Sequence, residues 1–307
     1  MVKIVAVNIS EKKGTIKKPV KEILLTDKGI EKDAHSGNWH RQVSLLASES
    51  IQKQRDLAGR EISPGEFAEN ITTEGMEIHK ATQLSHFENE ELCLQVTQIG
   101  KKCHGSSCAI FRESGDCVMP REGIFARVIR GGTLKAGDTL EYFPKVVKAL
   151  IITLSDRASK GEYTDISGPR LQKLLKLHIE GLGWGFSSQL KILPDEISRL
   201  REIIESSYTG FDIIFTTGST GIGPRDIAPE AIRPILDKEI PGIMELIRVK
   251  FGTDKPNAIL SRSVAGLKGE TLIYCLPGSP KAIDEYCSEI LKTLKHSILM
   301  IHSIDSH

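Results

Sequence analysis

Aromatic side chains are scarce. Nine Phe, five Tyr and two Trp make up 5% of 307 residues, too few for a surface that stacks nucleic-acid bases. Surplus charge is missing as well. The 41 Lys and Arg almost cancel the 40 Asp and Glu, leaving a formal charge of +1. No global field draws the chain to nucleic acid or to an anionic membrane, so any anion binding must be local. Cysteine is sparse, with six residues scattered over the chain, which excludes a disulfide scaffold and points to a reduced, cytoplasmic setting. No apolar run approaches the roughly 18–20 residues needed to cross a membrane. The opening MVKIVAVNISEKK has too short an apolar run for a signal peptide. What remains is an ordinary globular composition, 39% apolar and 26% charged.

The length favours two domains, and the composition shifts after Tyr142-Phe143-Pro144-Lys145. We therefore expect one domain over residues 1–145 and a second over 146–307. The first reads as mostly β and barrel-like. Strands are expected at Lys3–Ile9, Lys21–Thr26, Gln42–Leu46, Glu91–Ile99 and Arg127–Ile129, with turns at Lys28-Gly29, Ser63-Pro64-Gly65, Gly131-Gly132 and Ala136-Gly137-Asp138. One helix is expected from Ser48 to Ala58, capped by Ser48, with Ile51 and Leu57 facing inward.

In the second half, strand and helix alternate, which predicts an α/β three-layer domain on a mostly parallel sheet. Val146–Leu154 is a near-continuous apolar run, the pattern of a buried parallel strand. Further strands are expected at Leu190–Leu193, Phe211–Thr217, Ala258–Ser261 and Thr271–Leu276. Helices are expected over Gly168–Leu177, from Pro194-Asp195-Glu196 to about Ser206 with Ile197, Leu200, Ile203 and Ile204 inward, near Pro229–Leu236 and Pro241–Val249, and over Pro280–Leu294. The stretch from Phe211 to Ala231, FDIIFTTGSTGIGPRDIAPEA, runs strand, glycine-rich loop, helix, as an anion site in an α/β protein does. Pro224 after Gly223 excludes a Walker A loop, and no G-x-G-x-x-G register fits. Ligands of such sheets bind beyond the carboxyl ends of the strands. The loops there carry Asp156, Arg157, Asp195, Thr220, Arg225, Asp226, Ser279 and Lys281, the inventory for a phosphorylated ligand with a divalent metal. Asp195 and Asp226 also stand where each could simply cap a helix.

Three stretches of the first half, Gly29–Leu46, Gly65–Gly75 and Gln98–His104, resemble the MOSC family, named after the C-terminal part of molybdenum cofactor sulfurases, in order and spacing. That resemblance implies a cofactor- or sulfur-handling cysteine at Cys103. Lys101, Lys102 and His104 beside it would favour the thiolate. The family's usual Pro-Cys pair is here Lys102-Cys103. A half-buried structural cysteine is the alternative, and Cys103, His104, Cys108 and Cys117 are a second one as zinc ligands, although the spacing lacks a paired C-x2-C. Arg121 and Arg127 lie where they could meet phosphate.

The second half resembles the molybdopterin adenylyltransferase family over roughly residues 147–295. The motifs are SDRAS at Ser155–Ser159, PDE at Pro194–Glu196, TTGSTG at Thr216–Gly221, RDIAPEA at Arg225–Ala231, IPGIMELIR at Ile240–Arg248, AILSR at Ala258–Arg262 and LPGSPKAI at Leu276–Ile283. The resemblance implies AMP transfer from ATP to molybdopterin with release of pyrophosphate. It places Asp195 and Asp226 as catalytic acids and Mg2+ ligands. Ser155, Asp156, Arg157, Gly218, Ser219, Thr220, Gly221, Arg225, Ser261, Pro277, Gly278, Ser279 and Lys281 become the nucleotide- and pterin-binding residues. It further implies a homotrimer and a molybdenum-insertion protein as partner. Ser219 stands where the family usually has Gly, and Ala228 where it usually has Thr. A non-catalytic molybdopterin carrier or scaffold is the competing reading. Neither nucleic acid nor membrane is an expected partner.

Overall fold

The computed structural model describes residues 1–102 and 117–304. Cys103, His104 and Cys108 therefore lie outside the described residues. The chain divides into two compact units, one built on Met1–Lys145 and the other on Val146–Ser303.

The first unit contains β1 (Val2–Ile9), β2 (Lys18–Val20), β3 (Glu22–Thr26), β4 (Gly29–Ile30), β5 (Val43–Ala47), α1 (Ser48–Ala58), β6 (Ile71–Glu74), β7 (His86–Glu88), β8 (Cys93–Ile99), α2 (Met119–Glu122), β9 (Ile124–Arg130), β10 (Gly132–Lys135) and β11 (Thr139–Phe143). Pairing runs β11-β7-β8-β9-β5-β6-β1, and β1 pairs back to β11 with Val2 opposite Leu140, which closes a barrel of seven strands. Closure leaves those seven strands without a free edge. Val2, Ile4, Val7, Leu45, Ile71, Phe87, Leu94, Val96, Ile124, Ala126 and Leu140 fill its core. Each such fully buried aliphatic or Phe side chain contributes about 1.5–3 kcal/mol. β10, β3 and β4 form a separate small sheet.

Helix α1 spans the expected residues, but its start and its faces differ from expectation. Ala47 is the N-cap and makes no side-chain bond, because Ser48 is already helical. Gly59 ends the helix in the left-handed region, its N–H donating to the Arg55 carbonyl. Ile51 is buried, whereas Leu57 is 77% exposed. Six residues on, at about 100° per residue, Leu57 has turned about 120° away from Ile51 and off the buried face.

A buried polar network surrounds the end of β1 and the start of β6. Lys17 and Asp33 have fully buried side chains and pair at 2.5 Å. The Asp33 carboxylate also accepts from Ser10 N (3.0 Å), His35 N (3.0 Å) and Asn70 Nδ2 (3.1 Å). Burial alone would push Asp33 up, but hydrogen bonds from His35 and Lys17 outweigh it and hold the carboxyl well below the usual range. Burial in turn pulls the Lys17 ammonium down against the attraction of Asp33.

Glu69 is fully buried. Its Oε1 accepts from Gly65 N (2.5 Å) and Thr72 Oγ1 (3.0 Å), while Oε2 has no hydrogen-bond partner. Burial pushes this acid up to about 7. A carboxyl raised in the folded state contributes stability that is full below the unfolded value and is lost as pH rises through the folded one. We expect the first unit to lose on the order of 3 kcal/mol between pH 4.5 and pH 8 from this group. Glu69→Gln should flatten that slope. Urea unfolding followed by Trp39 fluorescence in a Trp184→Phe background reads this unit alone, and an unchanged slope in Glu69→Gln would remove Glu69 as its source.

The second unit contains β12 (Val146–Leu154), α3 (Asp156–Ser159), α4 (Ser167–Gly181), β13 (Gly185–Leu193), α5 (Ile197–Ser207), β14 (Ile213–Thr217), α6 (Ala228–Ile232), β15 (Lys238–Glu239), α7 (Pro241–Gly252), β16 (Ala265–Lys268), β17 (Thr271–Leu276) and α8 (Pro280–Ile301). The sheet order is β13-β12-β14-β17-β16-β15. Its first four strands are parallel, and β16 and β15 continue it antiparallel. On one face Leu150, Ile152, Ile214 and Ile273 pack with Leu200 and Ile204 of α5 and Ala231 and Ile232 of α6. On the other, α4 and α8 pack against each other and on the sheet. The strand expected at Ala258–Ser261 is instead a 3-10 turn, Pro256–Leu260, opened by Pro256. Ile197, expected inward, is 37% exposed at the first residue of α5. No helix among the described residues is long and apolar enough to cross a membrane.

Candidate active site at the carboxyl ends of the parallel strands

Register brings the predicted loops together. Leu154 pairs with Leu193, Thr153 with Thr217, and Thr217 with Leu276, so four parallel strands end in one row. The loops leaving them begin at Pro194, Ser155, Gly218 and Pro277, neighbours in that order.

The first two loops lock onto each other. The Asp156 amide donates to Asp195 Oδ2 (3.3 Å), and the Asp195 amide donates to Asp156 Oδ1 (3.1 Å). Arg225 from the third loop forms an ion pair with Asp156. Neither candidate acid caps the helix that follows it. Glu196 is the N-cap of α5 and Ile227 that of α6, each without a side-chain bond. Asp226 Oδ2 instead accepts from Gly223 N at 2.8 Å, inside its own loop. Asp195 is raised above the ordinary carboxylate value, first by burial and then by the charge of Asp226, against the opposing influence of the nearby Ser219 side chain. The charge of Asp226 thus opposes the ionisation of Asp195.

The glycine-rich loop departs from β14 through Gly218, at φ +99°, where a Cβ would stand 2.5 Å from the Leu154 carbonyl oxygen. Only glycine fits there. Ser219 follows at φ +59°, a conformation that costs a side chain of order 1 kcal/mol. Its hydroxyl offsets this by donating to the Arg225 carbonyl (2.9 Å) and accepting from Ile227 N (2.8 Å). The serine expected to contact phosphate therefore also ties the loop shut. Gly278 of the fourth loop comes so close that a Cβ on it would lie 3.1 Å from the Gly218 Cα.

Other expected residues divide by position. Ser155 caps α3 by accepting from Ala158 N (3.1 Å), and Ser279 caps α8 by accepting from Ala282 N (3.2 Å). Thr220 Oγ1 lies 3.5 Å from Ser261 Oγ, so the AILSR run reaches the loop. Gly221 packs against Asp226, whose Oδ2 would lie 2.7 Å from an added Cβ. Pro277 follows β17 directly. Arg157 is exposed and lies over the Tyr163 ring, 5.7 Å from its centroid, rather than on the acids. Lys281 is exposed in the first turn of α8 and joins none of these contacts.

Two organising residues were not singled out from the sequence. Arg262 donates to the carbonyls of Gly221 (2.7 Å) and Asp226 (2.8 Å) and pairs with Glu230, clamping the loop from outside. Its position at the end of AILSR was the available signal. Asp165 accepts from Thr153 Oγ1 (2.8 Å), Ser167 N (2.9 Å) and Gly168 N (3.1 Å), fixing the start of α4 beside β12. Among the described residues no three His, Cys, Asp or Glu side chains form a metal cage. A divalent ion held by one or two carboxylates and completed by ligand phosphates needs no such cage, and Asp195 beside the charge of Asp226 fits that mode.

Residues 150–296 match the family described as a probable molybdopterin binding domain, and residues 32–141 match the MOSC domain. The molybdopterin adenylyltransferase of Helicobacter pylori strain J99 is 36% identical over 157 residues, covering 49% of this chain and 85% of the relative. That of Pyrococcus furiosus is 37% identical over 165 residues, covering 50% and 93%. Gephyrin of Dictyostelium discoideum is 38% identical over 160 residues, covering 50% of this chain but 22% of gephyrin. The chain thus spans about a fifth of that relative and most of the two shorter ones. The solved tungsten cofactor synthesizing protein MoaB of Pyrococcus furiosus is 32% identical, covers 53% of this chain and 99% of its own, and has a TM-score of 0.45. On the family matches and the curated relatives the chain belongs, through its second unit, to the molybdopterin-binding family of molybdenum cofactor biosynthesis, joined here to a MOSC domain.

Proposed function

We propose that the second unit transfers AMP from ATP to the terminal phosphate of molybdopterin, in molybdenum or tungsten cofactor biosynthesis. A phosphate oxygen of the pterin forms a bond to the α-phosphorus of ATP, and the bond to pyrophosphate breaks. The observation that carries this reading is the pair Asp195 and Asp226, freed from helix capping and set beside the loop of Gly218 and Ser219. The chemistry is mainly positioning and neutralisation of charge. A magnesium ion supplies that neutralisation when bound, and Asp195 and Asp226 are the residues that would hold it. Gly218, Ser219, Thr220 and Gly221 present the floor for phosphate or pterin, and Arg225 is held over the site by Asp156. ATP- and magnesium-dependent formation of adenylylated molybdopterin tests the reading. Binding of molybdopterin with no turnover would make the protein a carrier instead.

For the first unit we propose binding of the same cofactor or handling of its sulfur through Cys103. Cys103→Ser should then abolish persulfide loading, read by mass spectrometry, while AMP transfer continues. Unchanged loading would reassign Cys103 to structure. We also propose a homo-oligomer, a trimer by family resemblance. Leu246 (54% exposed) and Val249 (71%) on α7, with Ile259 (58%) close by, offer it an apolar face. Val249→Glu should lower the mass seen by light scattering, and an unchanged mass would place the interface elsewhere.

A further inference from the structure

The second unit holds a cavity of about 340 Å³ remote from the strand-end loops. Its floor is one row across three strands. Lys238 of β15 pairs with Leu267 of β16, and Leu267 pairs with Leu272 of β17, so their side chains share a face of the sheet. Leu272 is the second residue of β17, at the opposite end of that strand from Pro277 and the strand-end site. The roof is the end of α8. Ser297, Met300 and Ile301 line the cavity and, at i, i+3 and i+4, stand on one side of that helix. Ile240, just before α7, completes the wall. Strand β15 has only two residues whereas α8 has 22, so the helix runs past the short edge strand and the space beneath its last turn is left unfilled. Met300 is 62% exposed over it.

The lining selects a ligand. No aromatic ring is among these residues, so nothing there stacks a flat heterocycle. Leucine, isoleucine and methionine side chains conform instead to an alkyl chain. One cation stands at the rim. Lys238 is exposed, and among the described residues no carboxylate pairs with it. Its two acidic neighbours are engaged elsewhere: Glu239 pairs with Arg233 at 3.2 Å, and Asp237 accepts from Gly269 N at 2.6 Å. We propose that this cavity binds an acyl-chain carboxylate, with the chain between Leu267, Leu272, Met300 and Ile301 and the carboxylate on Lys238. The proposal does not rest on AMP transfer.

Calorimetric titration of the full-length protein with octanoate, below its micelle concentration, should show saturable binding. Octanol should bind about tenfold more weakly, for want of the charge-assisted bond to Lys238, and octylammonium should not saturate. Lys238→Met keeps an apolar stem at an exposed position and should bring octanoate down to the level of octanol. Ser297→Phe fills the cavity and should abolish binding of both, with far-UV circular dichroism unchanged. Asp226→Asn should leave octanoate binding unaltered, which separates the cavity from the strand-end site. No saturable binding, octylammonium as tight as octanoate, equal affinity in Lys238→Met, or loss in Asp226→Asn would each overturn the proposal. So would a lower mass by light scattering in Met300→Glu together with no octanoate binding, because a second copy of the chain would then cover the cavity.

Discussion

Asp226→Asn should fold normally and lose AMP transfer, with kcat falling by about 10²–10³-fold, the cost of removing one preorganised electrostatic group. Asparagine keeps an oxygen to accept from Gly223 N, so the loop between β14 and α6 retains its internal bond. What goes is the negative charge beside Asp195. Denaturation should therefore shift by no more than about 0.5 kcal/mol, as for a partly exposed substitution that breaks no bond. The pH profile carries a second signature. The charge of Asp226 adds to burial in raising Asp195, so its removal lets Asp195 ionise at lower pH. The residual activity of Asp226→Asn should have its acid limb moved to lower pH than in the wild type. Wild-type turnover in this variant would exclude the carboxylate from the chemistry. A fall in rate with the acid limb unmoved would show that the limb belongs to another group.

The legible parts of this site were those set by local chain chemistry. Strand β12 announced itself by continuous apolar residues, and β17 was placed to the residue, because strands buried on both faces have little freedom in composition. Asp195 and Asp226 were ambiguous from sequence alone, since an acid before a helix looks the same whether or not it caps. Only the observed caps, Glu196 and Ile227, resolve that. Arg262 and Asp165 act through contacts distant in sequence: 41 residues separate Arg262 from Gly221, and 12 separate Asp165 from Thr153. Spacing rules do not reach that far. In the barrel, β6 and β7 have only four and three residues. Such short strands are specified by register against their neighbours more than by their own alternation. The same holds for the Lys17–Asp33 pair, which no local pattern distinguishes from two ordinary surface charges.

That pair should dominate the stability of the first unit. Lys17→Met keeps much of the apolar stem but leaves Asp33 buried without its ammonium. We expect a loss of about 3–5 kcal/mol, the usual cost of breaking a buried ion pair from one side. In the wild type Asp33 is depressed below its ordinary value, so its contribution is present at neutral pH and is lost as pH falls through the acid range. Without Lys17, burial becomes the larger influence and the carboxyl rises, so the variant should be relieved, relative to wild type, as pH falls towards 4. Asp33→Asn removes the second charge and, with a single acceptor oxygen, keeps the bond from the Ser10 amide or that from the His35 amide, which use different carboxylate oxygens. The double variant Lys17→Met/Asp33→Asn should therefore recover part of the loss, and a double-mutant cycle measures the coupling. Urea unfolding read by Trp39 in the Trp184→Phe background isolates this unit from the other. If Lys17→Met costs less than about 1 kcal/mol, the ammonium is no more than an exposed ion pair would be, and the buried network owes its stability to the hydrogen bonds from Ser10, His35 and Asn70 alone.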